Sequence, residues 1–264
     1  MKQRTKRILV VGDMHCGHQT GLTPPDWWWD DSGEVHERHK IAAYQRWAWK
    51  TYSKYLDELR PFDRMIVMGD CIDGKGQRSG GNELITTDRD EQVDMAAICI
   101  KAAKTPEIAI ALGTQYHTGV DEDWEKAVAR EVKADEVGNK LYPEINGVVL
   151  DVRHFVGGTT NPKSKATSVL GAQVSNDQWC REYKDHPEAR IFLRGHVHRY
   201  IAIDEPSTLS ITTPSLQGWT KFGAAKCDLP IHFGIVVIEI TGAGNWTFTR
   251  KIAQLGQFVH TLKW

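Results

Sequence analysis

One pattern, repeated along the chain, constrains the fold more than any other feature: a short apolar run stops at a glycine and hands over to aspartate or histidine. Ile8-Leu9-Val10-Val11 leads into Gly12-Asp13-Met14-His15, and Met65-Ile66-Val67-Met68 into Gly69-Asp70-Cys71-Ile72-Asp73. Further on, Ile108-Ala109-Ile110-Ala111-Leu112 precedes Gly113-Thr114-Gln115-Tyr116-His117, and Ile191-Phe192-Leu193-Arg194 precedes Gly195-His196-Val197-His198. Apolar runs without alternation read as short strands buried on both faces, the habit of parallel sheets. Gly12 lets the backbone turn sharply where the first strand ends. Asp13 and His15, two apart in an extended segment, point the same way and can grip one ion. Open α/β sheets place their ligands beyond the carboxyl ends of their strands, so the repetition predicts one shared site there.

Helical patterns separate the runs at residues 35–59, 88–104, 122–133 and 168–183, with Asp121 or Asp123 as N-cap of the third. Strand, helix, strand, helix, strand is the signature of an α/β layered domain. Residues 148–158 read as a strand carrying His154. Segments 200–203, 209–212, 233–240 and 246–252 read as antiparallel hairpins, the last two joined by a turn at 241–245. No repeat, low-complexity tract or linker divides the chain, which predicts one domain over 1–264. A Trp-rich, partly helical insertion at about 18–60 interrupts it. Five of the ten tryptophans lie there (Trp27, Trp28, Trp29, Trp47, Trp49). They either pack a helix onto the body or form an oligomer contact. The alternative is a stacking surface for bases beside the active site.

The ligand-type residues at the strand ends are Asp13, His15, Asp70, His117, His196 and His198, with His154 on or just after a further strand. That set exceeds what one tetrahedral ion needs. Mixed imidazole and carboxylate donors suit Zn, Fe or Mn rather than Ca or a bare Mg site. A carboxylate such as Asp70 can bridge two ions, which together clamp a phosphoryl group and activate a water.

In their order, Gly12-Asp13-Met14-His15, Gly69-Asp70-Cys71-Ile72-Asp73 and Gly195-His196-Val197-His198 resemble the motif set of the calcineurin-like metallophosphoesterases. That set reads GD-x-H, GD-x-x-D, GNH-D/E, a lone H and GH-x-H. The resemblance spans nearly the whole chain apart from the Trp-rich region. It implies an α/β fold, a four-layer α/β/β/α sandwich, with a dinuclear site on the loops at the strand ends. It further implies that Asp13, His15 and His198 hold one divalent ion and His154 and His196 the other, with Asp70 bridging. Mn is the first expectation, with Fe, Zn, Ni or Mg as alternatives.

The third motif departs from the family. Where Gly-Asn-His is expected, the chain has Gly113-Thr114-Gln115-Tyr116-His117. Thr114 keeps the position of the Asn ligand, whereas Gln115 keeps its amide. By resemblance His117 is the general acid, oriented by Asp73; the alternative is that His117 ligates a metal. Cys16 and Cys71 adjoin the motifs as packing residues. His18, His36 and His39 are candidates to line the cleft, and Lys75 and Arg78 to meet a substrate phosphate. His186, His232 and His260 belong to no constellation.

The resemblance implies a phosphoesterase, with a phosphodiesterase or nuclease acting on nucleotides or single-stranded nucleic acid as first reading. Gly74 after Asp73 and Thr118 after His117 depart from the Ser/Thr phosphatase branch, which weakens the phosphoprotein reading. The alternatives are a phosphomonoesterase or protein phosphatase, and a binding scaffold that has lost catalysis. Thirty-three basic against thirty-four acidic residues, a net charge of −1, count against tight duplex binding. Five scattered cysteines without a Cys-x-x-Cys pair, and no membrane-length apolar run, predict a cytoplasmic protein.

Overall fold

The computed structural model describes residues 4–30, 36–76, 80–118, 124–156, 166–226, 230–242 and 245–255. Arg78, Asp121, Asp123, Cys227, His260 and the side chain of His36 lie outside the described residues, as do 157–158 and 243–244.

Strands and helices alternate through the first half: β1 (Lys6–Val11), α1 (His36–Leu59), β2 (Arg64–Val67), α2 (Arg89–Lys101), β3 (Glu107–Ala111), α3 (Gln115–Thr118), α4 (Trp124–Val132) and β4 (Glu136–Gly138). There follow β5 (Glu144–Ile145), β6 (Val148–Arg153), α5 (Thr167–Glu182), β7 (Ile191–Arg194), β8 (Ile201–Asp204), β9 (Leu209–Thr212), α6 (Lys221–Lys226), β10 (Phe233–Ile240) and β11 (Trp246–Ala253). One sheet has the order β11-β10-β1-β2-β3-β4, the other β5-β6-β7-β9-β8. In the first, β1 to β4 are parallel and β10 runs antiparallel to β1. In the second, β6, β7 and β9 are parallel, with β5 and β8 antiparallel at the edges.

Side chains alternate across a strand, and β1 shows what each face does. Ile8 and Val10 meet Leu150, Val152, Ile191, Leu193 and Leu209 of the second sheet. Leu9 and Val11 face the other way, into a core shared with Tyr52 and Leu56 of α1, Met95 and Cys99 of α2, and Val128 of α4. Helix α5 packs on β7 and β9 from outside. Helices, sheet, sheet, helix make the four-layer α/β/β/α sandwich that the motif order implied. Each fully buried aliphatic side chain contributes about 1.5–3 kcal/mol, so two such cores hold both sheets firmly beneath the loops at their ends.

Both C-terminal hairpins form, but in different sheets: β8 and β9 close the second, whereas β10 pairs with β1 and places β11 at the edge of the first. The short strands β4 and β5 escape the sequence pattern because they carry few apolar residues. The tryptophans mostly pack inward. Trp27, Trp47 and Trp49 join the helix-side core, and the Trp47 ring lies 5.1 Å from that of Phe233. Trp28 Nε1–H donates to Thr23 O at 3.0 Å, and the Trp29 amide donates to Gln45 Oε1 at 2.8 Å. Among the described residues, no helix is long and apolar enough to cross a membrane.

Candidate metal centre

The glycines that end the strands permit close approach. A Cβ on Gly12 would stand 2.5 Å from Met68 Cβ, and one on Gly113 would collide with Asp70. The sharp turn assigned to Gly12 belongs instead to the residue after it. Asp13 (φ 49°), His15 (46°), Asp70 (47°), His196 (70°) and His198 (52°) all occupy the left-handed region that non-glycine residues avoid. Each costs about 1–3 kcal/mol and persists only where its surroundings hold it. Those surroundings are loop-to-loop hydrogen bonds. The Asp13 and His15 amides donate to Gly69 O and Asp70 O, both at 2.9 Å, and the Leu216 amide donates to Asp13 O at 3.1 Å. Such backbone folds the carboxyl ends of β1, β2, β6 and β7 over one another.

The side chains meet there. Among the described residues, three groups hold ligand-type atoms within 4.8 Å of one another: Asp13, His15, His198; Asp70, His154, His196; and His15, Asp70, His117. His15 Nε2 lies 3.1 Å from His198 Nε2, which lies 3.3 Å from Asp13 Oδ1. His154 Nε2 is 3.1 Å from Asp70 Oδ2, and His15 Nε2 and His117 Nε2 are each 4.0 Å from it. Asp70 thus stands at the junction of the groups.

The donor chemistry fits a cation. His15 gives its Nδ1–H to Asp73 Oδ1 at 3.0 Å, and His154 gives its Nδ1–H to Met68 O. With Nδ1 so engaged, the neutral ring presents a lone pair at Nε2, the usual second contact of a metal-binding histidine. The buried Nε2 of His154 lies 3.1 Å from a carboxylate oxygen of Asp70, an arrangement that favours a positive charge between them. Burial opposes a proton there, but Asp70 and Asp13 push His154 up to about 10. Burial and the neighbouring His117 push His15 down to about 4. Burial would raise Asp70 and Asp13, yet His154 beside the first and His198 beside the second hold both carboxyls below the usual range.

The third motif resolves into divided roles. The Thr114 amide and hydroxyl both donate to Asp70 Oδ1, at 2.7 and 3.1 Å, while Gln115 is exposed at the start of α3. That short helix takes up the two additional residues and brings His117 back over Asp70. Asp73 serves His117 less directly than expected. Its carboxylate is nearer His15, and its main-chain oxygen accepts His117 Nδ1–H at 3.1 Å, with Oδ1 at 3.5 Å.

Glu125, on α4, had no place in the motif reading. Its buried carboxylate accepts the Cys71 amide at 3.0 Å on one oxygen and the Gly113 amide on the other. It therefore ties together the two loops that carry and hold Asp70. Burial, then the charge of Asp70, pushes its carboxyl up to about 7. A sequence signal exists: Glu125, Val128, Ala129 and Val132 form the buried stripe of α4, and an acid on that stripe needs a buried partner.

Other candidates lie elsewhere or pack. Cys16 and Cys71 are buried in the helix-side core. His18 is buried, accepts the Thr20 amide at Nδ1 and faces Glu83 at 3.9 Å, bracing the loop. His39 falls in none of the cation groups among the described residues. Lys75 is exposed, the His186 ring stacks 5.7 Å from Trp179, and His232 Nδ1 accepts the Tyr200 amide at 3.0 Å.

Two sheets between helices, with an Asp/His cluster over the strand ends, define a sandwich of the metallophosphoesterase type. No family model matches the chain, and no curated protein does. Solved structures similar to it include Vps29 from Chaetomium thermophilum, 10% identical over 94% of this chain and 97% of that one, with a TM-score of 0.49. A novel archaeal phosphodiesterase is 10% identical over 93% and 99%, with a TM-score of 0.48. Vps29 from Entamoeba histolytica, complexed with zinc, is 11% identical over 93% and 98%, with a TM-score of 0.43. At such identities, what the site does has to be read from its own side chains.

Proposed function

We propose that the chain is a phosphodiesterase dependent on two divalent cations, Mn foremost, acting on nucleotides or single-stranded nucleic acid in the cytoplasm. The observation that carries this is three overlapping Asp/His groups, the one with His117 joined to that of Asp13 through His15 and to that of His154 through Asp70, with the Nε2 of His154 3.1 Å from the Asp70 carboxylate. In this reading Asp13, His15 and His198 hold one ion and His154 and His196 the other, with Asp70 shared. Bound there, the cations supply Lewis-acid charge to the phosphoryl oxygens and lower the pKa of the attacking water. Thr114 fixes Asp70 through its amide and hydroxyl. Asp73 fixes His15 by its side chain and His117 by its main chain. His117, half-exposed with Nδ1 engaged, presents Nε2 to hand a proton to the departing alkoxide. The chain's balanced charge favours a small nucleotide or a strand end over long duplex.

The test compares bis-p-nitrophenyl phosphate with p-nitrophenyl phosphate in Mn. Faster turnover of the diester is expected. Preference for the monoester overturns the diesterase reading, and turnover of neither points to a binding scaffold instead.

A further inference from the structure

Part of the cluster is exposed. Asp13, His15, Asp70 and His154 are buried, whereas His117, His196 and His198 are half-exposed, so a substrate arrives over those three rings. Beside that opening stands Phe155, directly after His154 in the chain. It is 63% exposed, belongs to neither apolar core, and holds its ring 5.1 Å from that of His196 at a tilt of 43°. Single exposed apolar residues are common on protein surfaces and need no explanation. The place of this one is the argument for it. It touches one imidazole of a cation group and is bonded through the chain to another, while most of its surface faces water.

We infer that Phe155 is a stacking platform for the base of a nucleotide diester, resting on the diesterase reading above. With phosphorus at the cation groups, the sugar on the side away from the leaving group spans the ring of His196 and lays its base on the phenyl face. Every base has a π-face, so the platform distinguishes nucleotides from alkyl esters without selecting among bases. The sequence offered a stacking role to Trp27, Trp28 and Trp29; Trp27 packs into the core, the Trp28 ring donates to Thr23 O, and the Trp29 ring lies 5.5 Å from the Arg38 guanidinium.

The test uses two diesters with the same leaving group, thymidine 5′-p-nitrophenyl phosphate and ethyl p-nitrophenyl phosphate, with wild type, Phe155→Ala and Phe155→Trp in Mn. Wild type is expected to show a KM about tenfold lower for the thymidine ester, a typical gain from one stacked base. Phe155→Ala raises that KM about tenfold more than it raises the KM of the ethyl ester, and Phe155→Trp restores it. Retained turnover of the ethyl ester also reports that the variant is folded. Equal KM values in wild type, or an alanine effect that is nil or the same on both esters, overturn the inference alone. Turnover of neither ester by wild type removes the diesterase reading and this inference together.

Discussion

His117 stands between two roles. Its Nδ1–H is given to Asp73 O, and its Nε2 lies 4.0 Å from Asp70 Oδ2 within one of the cation groups, with part of the ring exposed. That access suits a general acid, and His196 and His198, read as ligands, share it, so metal content separates the roles. With His117 as the acid, His117→Ala is expected to retain both metal equivalents by elemental analysis while kcat falls about 10²–10⁴-fold; loss of one equivalent would make it a ligand. Glu125 acts at one remove. Glu125→Ala leaves the Cys71 and Gly113 amides buried without an acceptor, at about 1–3 kcal/mol for each unsatisfied group. The expected result is a lower urea midpoint together with weaker Mn binding, because the loops that fix Asp70 come apart. Glu125→Gln, with one accepting oxygen left, falls between. Destabilisation with unchanged metal affinity would leave Glu125 a packing residue. The residues of the cation groups were legible in the sequence because their types and order recur at strand ends. Their left-handed backbone was not, since Asp and His are enriched in that region yet adopt it in a small minority of cases, so identity alone does not announce a φ near 50°.

At the scale of elements, α1 connects the adjacent parallel strands β1 and β2, and its stability comes from its aromatic face. Tyr52 O–H donates to Cys99 O at 3.0 Å from a fully buried position, and Trp47 rests on Tyr44 and Phe233. Trp47→Ala is expected to destabilise the fold by about 3 kcal/mol, with KM for a small diester unchanged. A raised KM with unchanged stability would return this helix to the substrate. The helix itself was legible from its three- and four-residue spacing of apolar side chains, and the parallel strands from their unbroken apolar runs. What could not be read was partnership. Rather than alternating, β10 is buried along nearly its whole length and accepts an antiparallel neighbour on either side, and only the long return of the chain places β1 on one of them. The displaced third motif was ambiguous for a similar reason. Thr114 and Gln115 are equivalent until α3 forms and turns Gln115 outward.

For the whole molecule, the centre is a concentration of charge that the two cores hold together, and its state sets how stability follows pH. Without cations, His154 is raised from about 6.5 to about 10 by Asp70, against the effect of burial. A histidine so raised contributes stability in full below its ordinary pKa, and loses it as pH climbs towards 10. His15, lowered to about 4 by burial and His117, does the reverse, contributing above 6.5 and losing ground as pH falls towards 4. The lowered Asp13 and Asp70 reinforce that acid limit. Chelator-treated protein should therefore show a melting temperature that falls on both sides of neutrality. Cations change the alkaline side first: they take the place of the His154 proton, so the loss between pH 7 and 9 should vanish in Mn. At a hundred times the dissociation constant they should also add about 2.7 kcal/mol of stability. On the acid side the loaded protein should fall more steeply, because protons and cations compete for the same nitrogens. Melting curves at pH 5, 7 and 9, with and without Mn, decide the matter. Parallel curves would mean that His154 and Asp70 do not share a cation at all.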